Sequence, residues 1–240
     1  FRLTPSRLKN RVAEREAELK KLGQTRRNRV LILNSPSNPT GIAYTEDEVK
    51  ALATTTKELG FTVISDEVYD VFCLDFNHCS WLKYDPSAIL VRSFSKTGGM
   101  PGWRVGFAAA PTPILNEMLK FQQFTFVCIN TPGQWSAIEL LEMDTSQHIK
   151  DYRARRDYVL QNLSPRYGKR TSQGSFYLFL GYPEGMDPDA FMKKCIENEL
   201  LVVPGSTFSA KNTHFRLSFS AKMSVLEKGV KILNRIADAH

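Results

Sequence analysis

The sequence has little of what metal centres and disulfide scaffolds are built from. Its four cysteines, Cys73, Cys79, Cys128 and Cys195, include no C-x-x-C pair, and its four histidines, at 78, 148, 214 and 240, form no ligand pair at helical spacing. No metal site is expected, and a reducing, cytoplasmic setting fits. It also lacks an apolar run long enough to cross a membrane and a signal-like apolar segment at its start, so no membrane partner is expected. Internal repeats and low-complexity tracts are absent. Charge of one sign is only mildly in excess: 32 Lys and Arg stand against 25 Asp and Glu, a net +7, with the basic residues interleaved among acids. That pattern reads as solvated surface and not as a nucleic-acid stripe. With 240 residues, 42% of them hydrophobic and 24% charged, the chain can bury a sizeable core unaided. Its first residue is Phe1, so upstream sequence is expected.

What is present alternates strand, turn and helix. Residues 7–22 read as a charged amphipathic helix with Leu8, Val12, Leu19 and Leu22 on one side and Gly23 as its stop. Arg26, Arg27 and Arg29 precede Val30-Leu31-Ile32-Leu33, a continuous apolar run of the kind buried on both faces of a parallel sheet. It ends in Asn34-Ser35-Pro36-Ser37-Asn38-Pro39-Thr40-Gly41, a rigid loop that presents Asn38 and reverses at Gly41. Thr45 to Glu48 is a capping box, and Val49, Leu52, Ala53 and Leu59 give the helical stripe behind it.

Phe61 to Ile64 repeats the logic and ends at Ser65-Asp66-Glu67-Val68-Tyr69. Ala88 to Val91 supplies a third strand and Arg104 to Ala110 a fourth. In open α/β sheets ligands sit outside the carboxyl ends of the strands. Asn38, Asp66, Tyr69 and Lys96 all fall at such ends, so their loops are expected to share a crevice. Helices follow near 113–123, 132–143 and 146–163, where Lys150, Arg153, Arg155 and Arg156 read as a solvated face. After Ser164-Pro165 short strands and helices alternate, as in a smaller α+β domain. The expected division is 1–145 and 146–240.

The third strand delivers Ser93-Phe94-Ser95-Lys96-Thr97-Gly98-Gly99-Met100-Pro101-Gly102-Trp103-Arg104. A lysine among hydroxyls and near fixed cations loses its proton easily enough to act as an imine-forming nucleophile, and an arginine eight positions on can hold a phosphate. Both suit pyridoxal phosphate. A carboxylate such as Asp66 can pair with that cofactor's protonated pyridine nitrogen, and Tyr69 with Asn38 can hydrogen-bond its phenolic oxygen.

Four motifs in order, Ser37-Asn38-Pro39-Thr40-Gly41, Asp66 with Tyr69, Ser93 to Arg104, and Arg216 in a late strand, resemble the class I/II aminotransferases of PLP fold type I. The likeness covers essentially the whole chain. It implies a mostly parallel α/β sheet domain, aspartate-aminotransferase-like and incomplete at its N-terminus, with a small C-terminal α+β domain. It also implies that Lys96 carries the cofactor and shuttles the proton between Cα and C4′, and that Asp66 binds the pyridinium. Asn38 and Tyr69 would face the phenolic oxygen, Ser93, Ser95 and Arg104 the phosphate, and Arg216 the substrate's α-carboxylate, beside Asn38.

Two departures, Gly98 where relatives often carry a larger residue and Ser209-Ala210-Lys211 in a loop that is usually richer in glycine, would bear on substrate shape. Family members also carry an N-terminal arm and a phosphate-binding turn ahead of the position that matches Phe1, so this chain is expected to be a C-terminal part. The function implied is transfer of an amino group between an L-amino acid and a 2-oxo acid, in a homodimer. Alternatives on the same fold are a PLP-dependent lyase, decarboxylase or synthase, and the PLP-sensing domain of a transcription regulator.

Overall fold

Pro5 occupies the first helical position after Thr4, whose hydroxyl accepts the Arg7 N–H, and the charged segment becomes helix α1, Pro5–Lys21. This is a computed structural model, which describes residues 1–25, 28–168 and 170–239; Arg26 and Arg27, expected ahead of the first strand, and His240 lie outside the described residues. The α1 charges form a wet face: Arg11 bridges Glu14 and Arg15 bridges Glu18 at the surface, where such pairs contribute little. By its internal contacts the chain divides into two compact units. Residues 1–36, 44–71 and 76–143 form the first; 37–43, 72–75 and 144–240 form the second.

In the first unit β1 (Arg29–Asn34), β2 (Phe61–Asp66) and β3 (Ile89–Ser93) run parallel. Their register sets Asn34 beside Asp66 and Asp66 beside Val91, so the carboxyl ends align. Between β1 and β2, helix α2 (Glu46–Glu58) starts at the expected capping box: Thr45 N donates to the Glu48 carboxylate at 2.8 Å and Glu48 N to the Thr45 hydroxyl at 3.4 Å. Its buried stripe of Val49, Leu52 and Ala53 packs on β2.

After β3 comes the single turn α3 (Phe94–Thr97), then β4 (Gly106–Ala109), which pairs antiparallel to β3. The link 94–105 is taken up by α3 and a short turn at Pro101–Trp103, and holds no crossover helix of the kind that joins parallel neighbours. Helices α4 (Thr112–Thr125) and α5 (Thr131–Glu142) complete the unit. One expectation is corrected. Val30 to Leu33 is not buried on both faces, because Val30 and Ile32, 54% and 68% exposed, point away from the side that α2 covers.

The second unit contains α6 (Ser146–Asn162), β5 (Tyr177–Gly181), α7 (Pro188–Glu197), β6 (Val203–Pro204), β7 (His214–Ser218) and α8 (Met223–Asp238). Its antiparallel sheet has the order β5-β7-β6. Alternation does the sorting here: Leu178, Leu180, Phe215 and Leu217 face the core with Val159, Phe191 and Leu233, leaving Phe179 and Arg216 on the opposite side.

A second correction falls in α6. Lys150 is exposed as expected, but Arg156 is buried, its Nη1 donating to Asp75 Oδ1 at 2.6 Å and to the Ser172 carbonyl at 2.9 Å, and its Nε to Asp157 at 2.8 Å. Arg153 Nε reaches the Leu74 carbonyl at 2.7 Å. These guanidinium groups tie the 72–75 segment to the helix, and a buried arginine persists only with its donors matched in this way.

Candidate active site

Asp66 is the last residue of β2 and lies at the aligned carboxyl ends of the parallel strands. Burial pushes its carboxyl above the usual range, and the charge of neighbouring Glu67 pushes the same way, against hydrogen bonds from the Val68 N–H and Asn34. Among the described residues it forms no salt bridge. A half-buried carboxylate without a cation suits a protonated nitrogen, which is the fit that pyridoxal phosphate requires. Three residues on, Tyr69 is buried in the turn that follows β2.

β3 then hands the chain to the lysine turn. The Ser93 hydroxyl accepts the Ser95 N–H at 3.1 Å and donates to the Val105 carbonyl at 3.4 Å, so it starts α3 and pins it to the next strand. Ser95 and Lys96 are half-buried on that turn. Arg104 is exposed, and its backbone lies in the left-handed region at φ 56° and ψ 46°, a costly place for a side chain with a Cβ. Its neighbours hold it there: Asn130 Nδ2 donates to the Trp103 carbonyl at 2.8 Å, and Phe94 N to the Val105 carbonyl at 3.1 Å.

Arg104 Nη1 reaches the Pro101 carbonyl at 3.1 Å. The flanking Gly98, expected to bear on substrate shape, also has a packing reason. A Cβ there would stand 2.4 Å from Leu140 Cδ2 of α5 and 3.1 Å from the Phe94 carbonyl oxygen.

Asn38 and Arg216 belong to the second unit. The Asn38 loop is closed by Ser37 N donating to the Ile42 carbonyl at 2.8 Å and by Gly41 at φ +68°, where a Cβ would meet the Tyr177 carbonyl oxygen at 2.6 Å. Arg216, on the central strand β7, donates from Nη1 to Asn38 Oδ1 at 2.7 Å. Its guanidinium lies 4.3 Å from the Tyr177 ring centroid and 4.9 Å from that of Phe208. With aromatic rings beside the fork, its N–H edge is the part left to read a planar carboxylate.

Several of these partners escaped the sequence reading. Asn34 was seen only as a strand end, although the parallel register makes it the neighbour of Asp66. Tyr177 and Phe208 were not singled out. Glu67 looked like one more acid in a turn, yet it is 1% exposed and held by five groups.

The sequence profile of the family Aminotransferase class I and II matches residues 1–233. The chain belongs to this family. Its members use pyridoxal phosphate. An aspartate aminotransferase of Pyrococcus abyssi is 34% identical over 233 residues, which are 91% of this chain and 59% of that protein. The aromatic aminotransferase of Pyrococcus horikoshii superposes with a TM-score of 0.82 at 33% identity, over 93% of this chain and 63% of that one. Aspartate aminotransferase from Thermus thermophilus, solved with maleate, gives 0.79 at 29% identity, over 91% and 59%. The chain therefore has the aspartate-aminotransferase-like fold, and it spans less than two thirds of the length of these relatives.

Proposed function

We propose that the protein transfers an amino group between an L-amino acid and a 2-oxo acid using pyridoxal phosphate. The observation that carries this is Asp66: a carboxyl raised by burial at the end of a parallel strand, beside the strand that leads into the Lys96 turn. When bound, the cofactor supplies an electron sink for the pair left behind as the substrate's Cα proton departs. The chain's own groups divide the rest of the work. Lys96 would hold the cofactor covalently and would serve as the base that takes the proton from the substrate's Cα and returns it. By the family resemblance, Asp66 would hold the ring nitrogen, Tyr69 and Asn38 the phenolic oxygen, and Ser93, Ser95 and Arg104 the phosphate. Arg216, with Asn38, takes the α-carboxylate; the maleate bound to the Thermus relative is itself a carboxylate ligand.

Residues 1–145 are read as belonging to the cofactor-bearing large domain and 146–240 as the small domain. The working form is a homodimer in the cytoplasm. Among the described residues no disulfide is formed, which suits a reducing compartment. Apolar side chains open on α4 and α5, among them Phe121 at 73%, Phe124 at 89%, Trp135 at 66% and Leu141 at 71% exposure, suit association.

Borohydride reduction of the complete protein, followed by digestion and peptide mapping, should place the pyridoxyl group on the Lys96 peptide. A label on any other lysine overturns the site.

Arg216→Lys tests the substrate side. A point ammonium keeps the charge but loses the two-toothed fork, so KM for both the amino acid and the oxo acid should rise by about 10- to 100-fold while the cofactor dissociation constant stays put. Loss of cofactor in equal measure would move Arg216 to the phosphate.

A further inference from the structure

Glu67 stands between the two residues of the β2 turn that the proposed function uses, Asp66 and Tyr69, and its own side chain turns inward. Its carboxylate is 1% exposed and gathers donors from three stretches of the chain. Ser65, Ser80 and the Trp81 N–H converge on Oε1 at 3.0, 2.9 and 2.9 Å. His78 Nε2 and Arg92 Nη2 meet Oε2 at 2.9 and 3.0 Å. Burial alone would push this carboxyl up, but His78, the Trp81 N–H and Arg92 outweigh it and hold it down at about 2. The acid is therefore ionised at any pH at which the protein works. Arg92 uses its other arm on Asp70, with Nη1 3.2 Å from Oδ2. So the β2 turn is gripped at 67 and again at 70.

The placement of Arg92 gives this knot a reach beyond local packing. Arg92 is the residue before Ser93, which starts the turn carrying Lys96. Glu67 directly follows Asp66. We propose that the Glu67–Arg92 pair is a positioning device for the reaction, locking the strand end that bears Asp66 and Tyr69 to the strand end that bears Lys96. The inference rests on the proposed function. The pair touches neither substrate nor cofactor; it acts by holding three groups in register, and misplacement of reacting groups by a fraction of an ångström is costly to rate.

Glutamine cannot replace Glu67 here. The serine hydroxyls can rotate and His78 can change tautomer, but the Trp81 N–H and the Arg92 guanidinium can only donate, and they address opposite oxygens. Whichever way the amide is turned, its NH2 faces one of them. Arg92→Lys fails differently: one ammonium cannot hold both Glu67 and Asp70 in fork geometry.

The test uses the complete, cofactor-loaded protein and compares Glu67→Gln and Arg92→Lys with the unsubstituted chain, well below melting. For Glu67→Gln, kcat should fall by about 10- to 100-fold and the cofactor dissociation constant should rise by about 10-fold, while KM for the amino acid stays within about twofold because Arg216 is untouched. Arg92→Lys should show the same split at about 10-fold in kcat. Glu67→Asp, which keeps the charge one methylene short, should recover part of the loss. A lowered melting temperature with kcat and cofactor dissociation unchanged would make the knot merely structural and overturn the proposal. Should Glu67→Gln not fold, Arg92→Lys decides by the same criteria. Failure of the proposed function would look different: the unsubstituted protein would carry no pyridoxyl group on Lys96 after reduction.

Discussion

Replacing Lys96 by arginine should abolish transamination, with single-turnover consumption of the amino acid slowed by at least about 10⁴-fold, the upper end of what a positioned acid–base group contributes. Arginine keeps the positive charge and is slightly longer, and on the half-exposed α3 turn, capped by Ser93, it gives the turn no reason to unfold. What is lost is chemical. A guanidinium stays protonated throughout the working pH range, so it neither forms the covalent link to the cofactor nor accepts a proton from Cα. Asp66, Ser95 and Arg104 remain in place, and the variant should therefore take up cofactor that dialysis removes and borohydride does not fix. Rapid-quench measurement of a single turnover, run beside that dialysis, checks both halves. Activity within tenfold of the unsubstituted protein would show that another group moves the proton.

The parts of the site that were legible in the sequence share one property: each is encoded by neighbours in the chain. The capping box needs only Thr45 and Glu48, and the Lys96 turn needs only the apolar run ahead of it and the small residues around it. Asp66 and Lys96 could be placed at strand ends because polar residues that follow an apolar run mark a strand's carboxyl end. Contacts between distant positions left no such trace. Glu67 meets His78 and Arg92 across separations of 11 and 25 residues, and Asn38 meets Arg216 across 178. Tertiary folding creates these meetings, through strand pairing for Glu67 with Arg92 and through loop packing for the others. Asn38 was expected to share a loop cluster with Asp66, Tyr69 and Lys96; its meeting with Arg216, inside the second unit, had no local signal at all.

The two misread surfaces have a common origin as well. A four-residue apolar run says that a strand is apolar on both faces; whether both faces are covered depends on the layers around the sheet, and Val30 and Ile32 point to the side that α2 does not occupy. In α6 the basic residues follow an amphipathic pattern that signals a wet face, and this held for Lys150 and Arg153. Arg156 departs from it because Asp75, Asp157 and the Ser172 carbonyl supply enough acceptors to bury a guanidinium. Periodicity reports which way a side chain points. It is silent on what waits there.

Asp66→Asn should act with opposite signs on chemistry and on stability. In the loaded protein an amide cannot hold a protonated ring nitrogen by charge, so single-turnover deprotonation of the amino acid should slow by at least about 10²-fold, as when one preorganised electrostatic group is removed. The cofactor-free protein should behave otherwise. Burial, aided by Glu67, raises the Asp66 carboxyl above its ordinary value, so its ionisation costs the fold free energy. A raised carboxyl is a neutral passenger below the unfolded-state value; its penalty appears as pH rises through the folded-state value and is complete above it. Asparagine never ionises, and its Oδ1 can still accept the Val68 N–H that Asp66 accepts at 3.3 Å. The melting temperature of apo Asp66→Asn should therefore match that of the unsubstituted apoprotein near pH 3 and equal or exceed it at pH 7. Melting curves across that range, paired with single-turnover rates, read both signs. A variant that reacts at the normal rate and melts lower at pH 7 would reduce Asp66 to a turn residue; slow chemistry on a fold that is no less stable is the signature of a carboxylate kept for its cofactor at the expense of the empty protein.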